Sequence, residues 1–319
     1  MYDATNVIPE LATPLEARFQ RDGVVGALGV TNGALDAIER ISQVWLHPGD
    51  RVIVEDPCWT TQRTLLQMLG LEAVGVTIDD EGIDPRSLAN VLSKRKCAAL
   101  MITPRAQNPT GATMSIQRRD AIRAVIEDFP DLLVIEDDHF SELSQEPYPS
   151  LTYGRNLFAV IRSYSKIFGP DLRLAAVCMD QNTADQVHMR QLLGPGWVSH
   201  IIQRLTARML TDEVTMGEIG KAAEIYKQRR DLLINTLAVA GLKAKGVSGF
   251  TVYVPVPQES DTVITLAERG WGVQAGGPYR IDSDPFIRVC VSALNPEDVL
   301  KFANDLIIAL DPSSRILLR

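Results

Sequence analysis

The chain has 319 residues, 45% of them hydrophobic and 23% charged, which is the composition of a globular protein long enough for one large and one smaller domain. Its net charge of −8, with no basic run and no Cys/His finger spacing, excludes the electrostatic footprint that phosphate-backbone binding needs. No apolar run approaches the ~18 residues of a membrane-spanning helix, and the start, Met1-Tyr2-Asp3-Ala4, has no basic and apolar leader pattern, so a cytoplasmic protein is expected.

In chain order, a helix is expected over Gly33–Leu46, stopped by His47-Pro48-Gly49-Asp50. Strand Arg51–Glu55, helix Thr60–Leu69 and strand Ala73–Thr77 follow. Next come strand Cys97–Thr103, helix Ser115–Asp128 with a serine cap, and strands Leu132–Glu136, Leu157–Ile161 and Leu174–Cys178. Several strands are apolar without alternation, as in sheets covered on both faces. Repeated strand–helix alternation predicts an α/β fold with a mostly parallel sheet flanked by helices. After about residue 180 the pattern changes. Helices are predicted over Thr183–Leu193, Ser199–Leu210 and Thr215–Ala240. Strand Phe250–Val254, a helix near Asp261–Arg269, strand Phe286–Val291 and a final helix then make a smaller α+β unit. In that helix Val299, Phe302, Ala303, Leu306, Ile307 and Leu310 share a face. The division expected is 1–235 and 236–319. The four cysteines, Cys58, Cys97, Cys178 and Cys290, are far apart and are expected as buried reduced thiols; no metal site is expected.

The most informative segment is Ser163-Tyr164-Ser165-Lys166, followed by Gly169-Pro170 and Arg173. A lysine closing a strand, with hydroxyls and an arginine around it, has the parts of a cofactor anchor, although exposed lysines after strands are common. Pyridoxal-phosphate chemistry demands such a lysine, an acid that keeps the pyridine nitrogen protonated, donors for the phosphate, and for amino acids an arginine that grips the carboxylate. Each demand has a candidate. Gly33 and Ala34 in Thr31-Asn32-Gly33-Ala34 open a helix where an anion can bind; a plain N-cap fits that segment equally. Trp59 in Glu55-Asp56-Pro57-Cys58-Trp59 offers a plate for a flat ring, or is a core residue. Asn108 in Asn108-Pro109-Thr110-Gly111 stands where ligands bind at strand carboxyl ends, or in a simple turn. Asp137 and Asp138 end an apolar strand and suit either a pyridinium or a helix cap. Arg288 lies inside an apolar strand and needs a partner, a substrate carboxylate or a structural ion pair.

Taken in order, Val30–Ala34, Glu55–Trp59, Thr103–Gly111, Val134–His139, Ser163–Lys166 with Leu172-Arg173, and Arg288-Val289 resemble the fold-type I pyridoxal-phosphate aminotransferases of class I/II. More narrowly they resemble the aminotransferase-like domain of MocR-type regulators in the GntR group. The resemblance runs over nearly the whole chain. It implies Lys166 as the Schiff-base lysine and Asp137 as partner of the pyridine nitrogen. It implies Trp59 stacked on the ring and Asn108 on its phenolic oxygen, beside the substrate. Gly33, Ala34, Ser163 and Arg173 would hold phosphate and Arg288 the substrate carboxylate; apart from the resemblance, Ser165 beside Lys166 offers a further phosphate donor. It also implies a homodimer in which Tyr2 reaches the partner's phosphate.

Two departures stand out. The family's tyrosine just after the aspartate is replaced by His139 and Phe140, and histidine titrates near neutrality. Met1 directly precedes Tyr2, so the family's N-terminal arm and the regulators' winged helix are expected to be missing. The function expected is amino transfer between an amino acid and a 2-keto acid. The alternative is a cofactor- and effector-sensing domain of a regulator with little turnover. A β-lyase or decarboxylase on the same cofactor is a third reading.

Overall fold

The computed structural model describes residues 6–311. Helix α1 (Pro9–Arg21) precedes β1 (Ala27–Thr31), α2 (Ala34–Trp45), β2 (Arg51–Asp56), α3 (Thr60–Met68), the hairpin β3 (Glu72–Asp79) and β4 (Gly82–Ile83), and α4 (Pro85–Lys94). Then follow β5 (Ala99–Ile102), α5 (Ile116–Ile126), β6 (Leu133–Asp137), β7 (Phe158–Ser163), β8 (Ala175–Met179), α6 (Gln181–Leu192), α7 (His200–Thr211) and α8 (Glu213–Val239). The remainder is β9 (Thr251–Pro255), α9 (Glu259–Glu268), β10 (Gln274–Ala275), β11 (Phe286–Cys290) and α10 (Val299–Leu310).

Eight strands form one sheet in the order β1-β8-β7-β6-β5-β2-β3-β4. The middle of it, β3, β2, β5, β6 and β7, is parallel. Helices cover both faces, so β6 and β8 are buried at every residue, which explains their unbroken apolar sequences. One face packs on α2, through Ala37, Ile38 and Ile41, and the other on α4 and α5, through Leu88, Leu92, Ile122 and Ile126. A three-stranded antiparallel sheet, β10-β11-β9, packs with α9, α10 and the end of α8 around Leu233, Leu237, Leu266, Phe302 and Leu306.

The register brings many loops to one edge. The parallel strands β2, β5, β6 and β7 all release the chain there, at Asp56, Ile102, Asp137 and Ser163. Strand β8 is antiparallel to β7 with Ala175 opposite Ser163, so the residues just before it lie at the same edge. Strand β1 is antiparallel to β8 with Thr31 opposite Ala175, which places the start of α2 there too.

Three sequence expectations change. Ile307 is 41% exposed, whereas Ala309 and Asp305 turn inward, because α10 offers a narrower face than its apolar pattern suggests. All four cysteines are free, but Cys290 is exposed and Cys97 half-buried. Cys290 falls on the outward side of β11, next to buried Val289, and Cys97 lies in the connection between α4 and β5. Finally, α1, β1 and α4 were not expected as elements; α4 begins with an Asp84 cap and Pro85.

Candidate active site

At that edge a cavity of about 230 Å³ is lined by Ala34, Trp59, Asn108, Asp137, His139, Ser163, Ser165, Lys166, Arg173 and Arg288. Every described residue proposed from sequence is therefore in one place, with Gly33 immediately behind Ala34. Tyr2 lies outside the described residues. The cavity also takes in Leu35, Thr103, Ala106, Phe140 and Phe250. These carry no local signal; Phe250, whose ring lies 5.6 Å from Lys166 Nζ, reads from sequence as the start of a strand.

The acidic run ending β6 is sorted by its partners. Glu136 is buried and accepts hydrogen bonds from Tyr148 Oη, Ser150 Oγ and the Leu151 N–H; burial pushes it up to about 7. Asp138 is buried between two arginines. Arg105 donates to it from Nε at 3.1 Å and Nη2 at 2.7 Å, and Arg162 from Nε at 3.0 Å. Arg162 continues to Asp22 at 2.6 Å, between the rings of Phe19 and Tyr148. Asp137 differs from both: it is buried, and its Oδ1 has no partner. Burial, then the charge of Asp138, pushes its carboxyl up to about 7, with Lys166 opposing. A buried carboxylate without a partner is costly and calls for a cation. Arg105 and Arg162 were not singled out in the sequence, because nothing local distinguishes a buried arginine from a surface one.

The other end of the cavity is built for an anion. No side chain caps α2, whose first residues line the cavity, so its N–H groups and dipole face it. Gly33 has φ of +96°, and a Cβ there would meet Arg173 Nη2 at 2.7 Å. Arg173 itself sits in the left-handed region at φ +47°. Ser165 Oγ is buried without a partner. His139 is held down to about 4, first by burial and then by the Lys166 charge, so it faces the cavity neutral at pH 7. Among the described residues, the charged groups lining the cavity are one acid, Asp137, against Lys166, Arg173 and Arg288. This excess of positive charge selects an anionic occupant.

Residues 2–306 match the aminotransferase class I and II family. The chain belongs to it. Over 316 residues it is 36% identical to the vitamin B6 salvage pathway transcriptional repressor PtsJ of Salmonella typhimurium, spanning 98% of this chain and 73% of that protein. It is 28% identical over 284 residues to the HTH-type transcriptional regulator YdfD of Bacillus subtilis, spanning 85% of this chain and 58% of that one. Among solved structures, a Pyrococcus horikoshii kynurenine aminotransferase superposes with a TM-score of 0.88 at 21% identity, over 100% of this chain and 83% of that one. The fold is thus the fold-type I aminotransferase fold, in a chain whose relatives include MocR-type regulators. The cofactor of the family is pyridoxal 5′-phosphate, and the residues present fit it. The unpartnered Asp137 oxygen suits a protonated ring nitrogen, and the uncapped α2 terminus, Ser165 and Arg173 suit a phosphate. Among the described residues no cluster fit for a metal ion occurs, and no helix is long and apolar enough to cross a membrane.

Proposed function

We propose that the chain is a pyridoxal 5′-phosphate-dependent aminotransferase that moves an amino group between an amino acid and a 2-keto acid. The observation that carries this reading is Asp137, the one member of the Glu136–Asp138 run left without a partner, in the same cavity as Lys166. When bound, the cofactor supplies an electron sink for charge developing at the substrate α-carbon. Asp137 would keep a proton on the ring nitrogen, because its carboxylate would gain the cation it lacks. Lys166 would hold the cofactor and, with its amine free, would move the proton at the substrate α-carbon. Gly33, Ala34, Ser163, Ser165 and Arg173 would hold the phosphate. Trp59 and Asn108, both lining the cavity, would hold the cofactor's ring and its phenolic oxygen. Arg288, with its Nε buried and unpaired, takes the substrate carboxylate. His139 stands where the family has its tyrosine, and as a neutral imidazole it donates one hydrogen bond there.

A second reading is a sensing domain that binds cofactor and effector with little turnover. The 36% identity to a repressor across nearly the whole chain favours it, as does His139. Neither reading has this chain binding nucleic acid directly, in keeping with its net charge of −8. We also propose a division near residue 235, inside α8, and a homodimer, for which exposed Leu193, Ile201 and Leu205 offer apolar surface.

The test has two stages. Purified protein with cofactor is reduced with borohydride and digested; the label is expected on Lys166, and a label elsewhere overturns the site. The common amino acids are then screened with several keto acids, following keto-acid product. Fast turnover on any pair removes the sensing reading; spectral shifts without product promote it over the enzyme.

A further inference from the structure

Arg288 is held from behind by two residues that the sequence did not single out. It lies on β11 directly opposite Gln274 of β10, and its Nη1 donates to Gln274 Oε1. Tyr279 Oη donates to the same amide oxygen and lies 3.4 Å from Arg288 Nη1, and the guanidinium stands 5.9 Å from the Tyr279 ring. Both partners are uncharged. They fix the far side of the guanidinium and leave its charge for a ligand, whereas a carboxylate at either position would neutralise it.

Tyr279 is itself tied to the large sheet. Its carbonyl accepts from the Cys58 N–H at 3.0 Å, next to Trp59. The residues after it converge on buried Asp56. Ile281 N–H donates to Oδ1 at 2.9 Å, Asp282 N–H to Oδ2 at 2.7 Å, and Ser283 Oγ to Oδ1 at 2.8 Å. Arg63 from α3 donates to the Arg280 carbonyl, and Ile281 packs on the core of the large sheet close to Gly75. A single strap, residues 279–283, therefore joins the loop bearing Trp59 to the tyrosine behind Arg288.

We propose that Tyr279 and Gln274 are positioning residues for Arg288, which set its free edge toward the cavity and make the site selective for ligands carrying a carboxylate next to the amine. The inference rests on the reading of Arg288 as the carboxylate-binding group. Tyr279→Phe keeps the buried ring and removes only the hydroxyl, which donates to Gln274 and accepts from Arg288 Nη1. Gln274→Glu, on an exposed edge strand, places a carboxylate against the guanidinium in competition with the ligand.

The experiment uses the cofactor-loaded protein and the probe pairs L-leucine with isoamylamine and L-phenylalanine with 2-phenylethylamine. Dissociation constants come from the visible spectrum of the cofactor, and cofactor affinity from quenching of tryptophan fluorescence. The wild type is expected to prefer each amino acid to its amine. Tyr279→Phe should shrink that preference about tenfold, the loss of a hydrogen-bond contribution at a charged group, without weakening the amine or the cofactor. Gln274→Glu should shrink it further. If both variants keep the wild-type preference, or lose amine and cofactor binding in proportion, the positioning role is overturned and the Arg288 reading stands. A wild type without any preference for the carboxylate, or one that binds none of the probes, overturns the Arg288 reading and this proposal with it.

Discussion

Replacing Asp137 and Asp138 one at a time by asparagine should have opposite effects on the cofactor-free protein. Asp137 is a buried carboxyl with an unpartnered oxygen, pushed from 3.8 up to about 7. At 1.36 kcal/mol per pKa unit, its ionisation costs the fold up to about 4 kcal/mol. The folded chain holds this proton more tightly than the unfolded chain. The penalty is therefore absent below the unfolded value of 3.8, grows as pH rises, and is complete above about 7. Asp137→Asn removes the charge but leaves a buried amide, so a net gain of about 2 kcal/mol at pH 8 is expected, shrinking toward zero or below at pH 4. Asp138 instead accepts from Arg105 and Arg162 in a buried network. Asp138→Asn takes the charged partner from buried Arg105 and leaves Arg162 with Asp22 alone, and should cost about 3 kcal/mol or more at both pH values. Urea denaturation of cofactor-free wild type and variants at pH 4 and pH 8 checks this. Saturating cofactor should then stabilise wild type more than Asp137→Asn, because the carboxylate gains its cation only in the loaded protein. If Asp137→Asn proves destabilising at pH 8, or Asp138→Asn the milder change, the assignment of roles within the acidic run is refuted.

Lys166→Ala should abolish borohydride-fixed cofactor while leaving weak reversible binding through the phosphate contacts, as read by mass spectrometry and by dialysis. Gly33→Ala puts a Cβ at a position with φ of +96° and 2.7 Å from Arg173 Nη2; cofactor affinity should fall at least tenfold, about 1.4 kcal/mol, with little change in the circular dichroism spectrum. His139→Tyr should raise the rate of any measurable amino-acid half-reaction. Because His139 is held down to about 4, the spectrum of the wild-type cofactor should show no transition near pH 6.5 that this substitution removes.

The sequence by itself determined the elements and their order. Apolar runs such as Leu133–Ile135 and Ala175–Val177 declare strands buried on both faces, and the Gly33, Asn108, Asp137, Lys166 and Arg173 segments each mark a strand end or helix start. These signals are local, and local signals survive in one dimension. They missed α1, whose buried positions Leu11, Leu15 and Phe19 sit among polar neighbours, and β1, whose Gly29 dilutes the strand pattern. What only the tertiary structure decided is which charges are paired. Glu136, Asp137 and Asp138 are three adjacent acids with the same local chemistry. Their different roles come from Tyr148, Ser150, Arg105 and Arg162, which reach them across 12 to 33 residues of chain. The same holds for Arg288, whose orientation depends on a cross-strand Gln274 and on a strap pinned to Asp56, 225 to 227 residues away. Hydrogen bonding and desolvation act over a few ångströms in space, so partner choice in a buried site is fixed by strand register and packing, which a reading along the chain does not contain.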